Sequence, residues 1–235
     1  MHFEILVEGQ TEKTALSILM EKIVGPYGNP HTWSIHKHQG IGSLPEFPDH
    51  PAHVKDRTLL HNLPGKLRAY GKEANDDVVI VILVDLDKRT DCRTFKQELV
   101  NLLKYCEKTP KHLFRIAIEE LEAWFLGDRS AILAAYPDAD QGVLDTYVQD
   151  AQINTWEKLA EAIDPNVRSS LGSVKKRSPL TLKHKHIWAK NIAPKMDVEN
   201  NASPSFTCFR DGLRRFIQPA RQVTSPFNHP TYRRK

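Results

Sequence analysis

The chain has little cysteine and nothing arranged around it. Its three cysteines, Cys92, Cys106 and Cys208, are an odd number in 235 residues and show no CxxC spacing. That pattern excludes a zinc ribbon and a disulfide framework, and makes a reducing cytoplasm the expected setting. Long apolar runs are also missing: no stretch approaches the ~18 residues that a membrane span needs. The opening MHFEILVEG lacks a charged region followed by a long apolar one, so no signal peptide is expected. There is no glycine-rich phosphate loop ending in Gly-Lys-Ser or Gly-Lys-Thr, and no GxGxxG after a strand; Gln39-Gly40-Ile41-Gly42-Ser43 fits neither. His31, His36, His38, His50 and His53 lack HExxH spacing and a paired cysteine, and read as surface or packing residues. Internal repeats and low-complexity tracts are absent.

What remains is ordinary globular material. Hydrophobic residues make up 40% of the chain and aromatic residues 8%, enough for a sizeable core. The length suits one large domain, or one with a smaller helical appendage. Net charge is only +4, but it is unevenly placed. Arg168, Lys175, Lys176, Arg177, Lys183, Lys185, Lys190 and Lys195 fall in one stretch, and Arg210, Arg214, Arg215, Arg233, Arg234 and Lys235 follow. A basic carboxyl-terminal third can neutralise phosphates, with Lys175, Lys176, Arg177, Lys183 and Lys185 as the candidate nucleic-acid contacts. A solvated surface is the commoner fate of such runs.

The run Val78–Val84 is aliphatic throughout, too short for a typical helix and too apolar for an exposed edge. It reads as a buried central strand of a parallel sheet. Asp85 and Asp87 close it, at the carboxyl end where open α/β sheets place their ligands. Period-two side chains would point both carboxylates to one side, where their repulsion calls for a cation, most simply a hard divalent metal. The competing reading is a polar strand exit with a helix cap.

Around that strand the chain alternates. Phe3–Val7 reads as a strand, Gly9 as a tight turn, and Thr11 as the cap of a helix to about Val24. Trp33–His38 is a second strand and Arg57–Tyr70 a helix, with Pro64 opening a second helix or kinking the first. A helix from about Asp91 to Glu107 and a strand at Leu113–Ile118 follow, and then a helix from Glu119 to about Ala135. The order predicts an α/β fold: a doubly wound, mostly parallel four-stranded sheet flanked by helices, over residues 1–136. Beyond Pro137 strands disappear. Helices are expected at Asn154–Ile163, Pro179–Lys190 and Pro204–Ile217, the last two capped by Ser178 and Ser203 ahead of a first-turn proline. They form a carboxyl-terminal helical extension over 137–220, packed on the sheet, with 221–235 as a flexible basic tail.

Three strand ends now carry acids: Glu8, then Asp85 and Asp87, then the Glu119–Glu122 group. A glutamate-glycine pair after an opening strand, followed by a hydrophobic strand ending in Asp-x-Asp, resembles the Toprim domain. Topoisomerases, primases and nucleases of the overcoming-lysogenization-defect type share that domain. By position, Glu8 matches the family glutamate, and Asp85 and Asp87 its aspartate pair. The segments VEGQTEK (7–13), HQGIGSL (38–44), LLHNLPGKLRAYG (59–71), LVDLDKRTDC (83–92), EELEAWFLGD (119–128) and SPSFTCFRDGL (203–213) look like an uncharacterised bacterial family of Toprim-like proteins, a domain of unknown function.

The resemblance implies a magnesium-dependent nuclease, with manganese as a substitute, that hydrolyses phosphodiester bonds in DNA or RNA. Glu8, Asp85, Asp87 and Glu122 are the implied catalytic residues. A second metal would draw further ligands from Glu8, Glu119 or Glu122, with Glu122 favoured over Glu120 on helical spacing. Glu12, Lys13 and Lys88 are candidates for a supporting role, and Trp124 is read as core. Bound magnesium polarises a phosphate oxygen and lowers the pKa of an attacking water. Relatives with a Glu-x-Trp element like Glu122-Ala123-Trp124 are encoded beside ATPases in anti-phage systems, so an ATPase is an expected partner, and a homodimer an expected assembly. The alternative is a non-catalytic binding or regulatory subunit of an ATPase complex.

Overall fold

The computed structural model describes residues 1–73, 75–151, 153–166, 169 and 178–218. The expected contacts Lys175, Lys176 and Arg177, and the basic tail at 221–235, lie outside the described residues. The central strand sets the frame. Val78–Asp85 (β3) is hydrogen-bonded on one side to His2–Val7 (β1) and on the other to His112–Ala117 (β4). Thr32–Lys37 (β2) pairs with the outer edge of β1, giving a four-stranded, all-parallel sheet in the order β2-β1-β3-β4. The register places Val81 between Ile5 and Leu113.

Helices Gln10–Val24 (α1), Leu59–Lys72 (α2) and Cys92–Asn101 (α3) make the crossovers. Alternate residues of β3 serve the two faces of the sheet. Val79, Val81 and Leu83 join a core shared with α1, while Ile80, Ile82 and Val84 join one under α2 and α3. This two-sided burial is why the strand is apolar at every position before Asp85. The same alternation puts Asp85 on the α1 face. The chain steps from β1 outward to β2 and later from β3 outward to β4, so the winding reverses between β1 and β3.

The α1 face is completed by Glu122–Leu126 (α4), Arg129–Ala135 (α5), Gln141–Asp145 (α6), Thr155–Ile163 (α7), Pro179–Ile192 (α8) and Pro204–Ile217 (α9). One apolar cluster runs from Phe3 through Trp124, Trp156 and Trp188 to Leu213. Within it Trp124 is fully buried against the rings of Phe206 and Phe209, 5.3 and 5.0 Å away, and its indole N–H donates to Ser205 Oγ at 3.0 Å. Burying each such side chain stabilises by about 2–3 kcal/mol. The carboxyl end of α1 is fastened to this layer: Lys22 Nζ donates to the Pro194 and Met196 carbonyls at 2.6 and 2.8 Å, and Arg214 Nε to the Ile23 carbonyl at 3.1 Å. Ser178 and Ser203 cap α8 and α9 as expected, accepting from Thr181 N at 3.1 Å and Phe206 N at 3.2 Å.

Several boundaries differ from expectation. The helix expected over Glu119–Ala135 is two helices, and Glu119 and Glu120 precede both. Asp128 breaks the run by accepting from Ala131 N at 3.0 Å and Ser130 Oγ at 2.7 Å, a cap formed in mid-sequence. Gly127 is required beside it, because a Cβ there would lie 2.3 Å from Asn201 Oδ1. The helix expected over Asp91–Glu107 ends at Asn101 and tightens into a 3-10 turn at Leu102–Tyr105. The cap of α1 is Gly9 and not Thr11, which lies inside the helix, and Pro64 sits within an unbroken α2. Among the described residues no helix is long and apolar enough to cross a membrane.

Candidate active site at the sheet switch point

The reversal between β1 and β3 opens a crevice at their carboxyl ends, where doubly wound sheets bind ligands. Glu8 leaves β1 into this crevice and Asp85 ends β3 beside it. The two are joined directly, the Asp85 amide donating to Glu8 Oε1 at 2.8 Å. Glu12, three residues into α1 from its Gly9 cap, reaches back to accept from the Gly9 and Glu12 amides, one half of a capping box. Gly9 leaves room for it, since a Cβ there would approach Glu12 Oε2 to 3.3 Å.

Asp87 follows in a turn, with its amide donating to the Glu119 carbonyl at 2.9 Å. Its φ of 53° lies in the left-handed region, which aspartate tolerates at a cost of about 1 kcal/mol. The strand therefore ends before Asp87, and the turn does the work assigned to strand alternation. Both aspartates still line one open pocket of about 460 Å³, with Glu8, Glu12, Lys37, His38 and Lys185.

The third acidic group divides. Glu119, expected as a metal ligand, turns the other way: its Oε2 accepts from Asn154 N at 2.7 Å and Thr155 N at 3.3 Å, capping α7. Glu120 and Glu122 are 1% and 0% exposed and lie outside the pocket lining. They share one cation, the Lys185 ammonium, at 2.6 and 3.0 Å. Glu122 Oε1 has no hydrogen-bond partner. The preference for Glu122 over Glu120 on helical spacing does not hold, because α4 begins only at Glu122. Glu122 is thus a partner of Lys185 behind the pocket and not part of its wall.

Lys185 reverses its expected place too. It sits on the buried side of α8 with Thr181, Trp188, Ala189 and Ile192, whereas Lys183 is exposed. Its charge is directed inward to carboxylates instead of outward to phosphates. Of the supporting candidates, Glu12 lines the pocket, Lys13 lies outside it and Lys88 is exposed outside it.

Electrostatics follows from burial. Asp85 is held well above the usual carboxylate range, first by desolvation and then by the charges of Glu8, Glu12 and Glu120, with Lys185 only partly offsetting them. Glu12 is raised for the same first reason. Burial pushes Glu122 up to about 7 in spite of Lys185. Burial also acts against the Lys185 ammonium, but Glu122, Glu120 and Asp85 outweigh it and keep the lysine well above its ordinary value. The cluster is short of positive charge, and the shortage is greatest on the Asp85 side.

Among the described residues no three His, Cys, Asp or Glu side chains are grouped as a ready-made metal cage. The donors nevertheless suit a hard divalent cation in kind, since Glu8, Glu12, Asp85 and Asp87 offer only carboxylate oxygens. Magnesium does not need a closed cage: it keeps several waters and takes one or two carboxylates together with a substrate phosphate.

A family model described as a domain of unknown function (DUF4276) matches residues 7–214. The chain belongs to this family. The DUF4276 match takes in every residue of the crevice, from Glu8 to Lys185, so the site lies within the part of the chain that defines membership. No curated protein and no solved structure matches the chain.

Proposed function

We propose that the chain is a divalent-cation-dependent phosphodiester hydrolase acting on DNA or RNA. One observation carries the reading: buried Asp85, bonded through its amide to Glu8 and flanked by Glu12, opens onto the switch-point pocket with its charge only partly offset by Lys185. The order glutamate, then Asp-x-Asp, is that of the Toprim nucleases, and this supports the same reading. A bound magnesium ion would supply polarisation of a phosphate oxygen and a more acidic water. Asp85 and Asp87 are the residues that would hold it, with Glu8 or Glu12. Glu8 has a second task, fixing the end of β3 through the Asp85 amide. Glu120 and Glu122 act one step removed, by holding Lys185 at the back of the pocket.

The test is calorimetric titration of magnesium and manganese into the wild type and Asp85→Asn, alongside cleavage assays on plasmid and RNA. Binding and cleavage by the wild type, both lost in Asp85→Asn, are expected. Cleavage that survives in Asp85→Asn would remove the assignment. A second reading, a non-catalytic subunit of an ATPase complex, draws on the Lys185 ion pairs, which already balance part of the cluster without a metal. It predicts no cleavage with any metal and a stable complex with an ATPase.

A further inference from the structure

A pocket walled by four carboxylates repels a polyanion, so a nucleic-acid substrate needs cations beside the pocket and not within it. Lys185 is committed to Glu120 and Glu122. The cations lie elsewhere. Along the carboxyl-terminal half of β2 lies a shallow groove of about 520 Å³, with Lys13 of α1, Lys37, Arg57 and Lys66 of α2 in its lining. The one acid there, Asp56, is engaged by its neighbour: Thr58 donates to its carboxylate from Oγ1 at 2.6 Å and from N at 2.8 Å. Lys37 and His38 line both this groove and the acid pocket, so the two surfaces share a wall. His38 is anchored there through Nδ1 to the Val7 carbonyl at 2.9 Å. Burial holds its imidazole below the usual range; the Val7 carbonyl opposes the shift, and the nearby Lys66 and His36 charges add to it.

We propose that this groove is the track of a nucleic-acid strand. Its phosphates meet Lys13, Lys37, Arg57 and Lys66, and its backbone crosses the Lys37–His38 wall into the acid pocket. The proposal rests on the phosphodiester reading and says where that substrate lies. The described lining holds no Phe, Tyr or Trp on which bases could stack. Recognition is therefore of the backbone, independent of base sequence and strongly dependent on salt. The groove differs from the basic run at 175–185: it is built from residues distant in sequence, Lys13, Lys37, Arg57 and Lys66, gathered by the fold.

The experiment is fluorescence anisotropy of a labelled single-stranded oligonucleotide in EDTA, over a series of salt concentrations. The proteins are the wild type, Lys37→Ala/Arg57→Ala/Lys66→Ala, and Lys37→Arg/Lys66→Arg as the charge-retaining control. The triple variant is expected to bind about tenfold or more weakly, with a salt slope smaller by about 2, for three lost contacts at ~0.7 each. The arginine variant is expected to bind as the wild type does. Unchanged affinity and slope in the triple variant would overturn the proposal, as would no binding by the wild type or equal affinity for a mononucleotide. Because EDTA removes divalent metal, the result is separate from cleavage. Groove-dependent binding that persists in Asp85→Asn, with no cleavage by the wild type in magnesium, would keep the track and discard the hydrolase.

Discussion

Two clusters in this molecule pair carboxylates with basic side chains, and depth is the first cause of their different behaviour. Around Lys185 the ammonium lies 2.6 Å from Glu120 and 3.0 Å from Glu122, with the three side chains 7%, 1% and 0% exposed. Around Glu199 the carboxylate lies 2.5 Å from Arg214 and 3.6 Å from Arg210, and is 56% exposed. On the surface, the hydrogen bond from Arg214 pulls Glu199 below its ordinary pKa. In the interior, a lysine at similar distance fails to do the same, and burial lifts Glu122 to about 7. The two acids thus shift in opposite directions, first because the cost of leaving water exceeds the attraction that a single shared cation returns, and then because Glu120 adds like charge beside Glu122.

Breaking the buried cluster has the largest expected effect. Lys185→Ala leaves Glu120 and Glu122 without their ammonium, and should cost about 3–5 kcal/mol in urea unfolding at pH 8. A loss under about 1 kcal/mol would mean that solvent already reaches these acids. Next comes pH. Because the folded-state pKa of Glu122 lies above its unfolded value of 4.5, the folded chain holds that proton more tightly. Its contribution to stability is full below about pH 4.5 and is lost as pH rises through about 7, a change of about 3 kcal/mol. Comparing melting temperatures of the wild type and Glu122→Gln from pH 5 to 8 isolates this slope, and parallel profiles would refute it.

Smaller effects sharpen the contrast. Asp85 ionises against desolvation and like charge, so Asp85→Asn should raise stability by ~1 kcal/mol above neutral pH while abolishing metal binding. A variant that loses both would show Asp85 to be structural. Glu199→Gln should cost under about 1 kcal/mol, after allowance for solvent screening. Its sign is opposite to that of Glu122: the contribution is present above the ordinary glutamate range and lost as pH falls below it. A cost comparable to that of Lys185→Ala would refute the depth argument.

Much of the frame was legible in the chain because it is local. The unbroken aliphatic run of β3, the Asp-x-Asp at its end and the serine-proline caps of α8 and α9 each need only a few neighbouring residues. The site was legible in part, since Glu8 and the aspartates sit at strand ends that periodicity locates. What escaped depends on which way a side chain turns. Glu119 and Glu120 are adjacent, yet one caps α7 and the other meets Lys185, a choice made by an irregular bend before α4. Lys185 carried a signal that charge counting hid: Thr181, Lys185, Trp188 and Ile192 share the buried helical stripe, so a lysine stands where an apolar residue is expected. The cationic groove had no local signal, because only the fold brings Lys13, Lys37, Arg57 and Lys66 together.

The late position of Lys185 bears on how the protein is made. Translation completes the sheet at Ala117 and both acidic partners by Glu122, but their counter-ion is sixty-three residues further along the chain. While a domain assembles from its amino-terminal end on the ribosome, these carboxylates must stay hydrated or protonated until α8 emerges. The interior of this fold is thus sealed by a segment synthesised well after the acids it covers, and a chain terminated ahead of α8 would carry an open, acidic seam along its sheet.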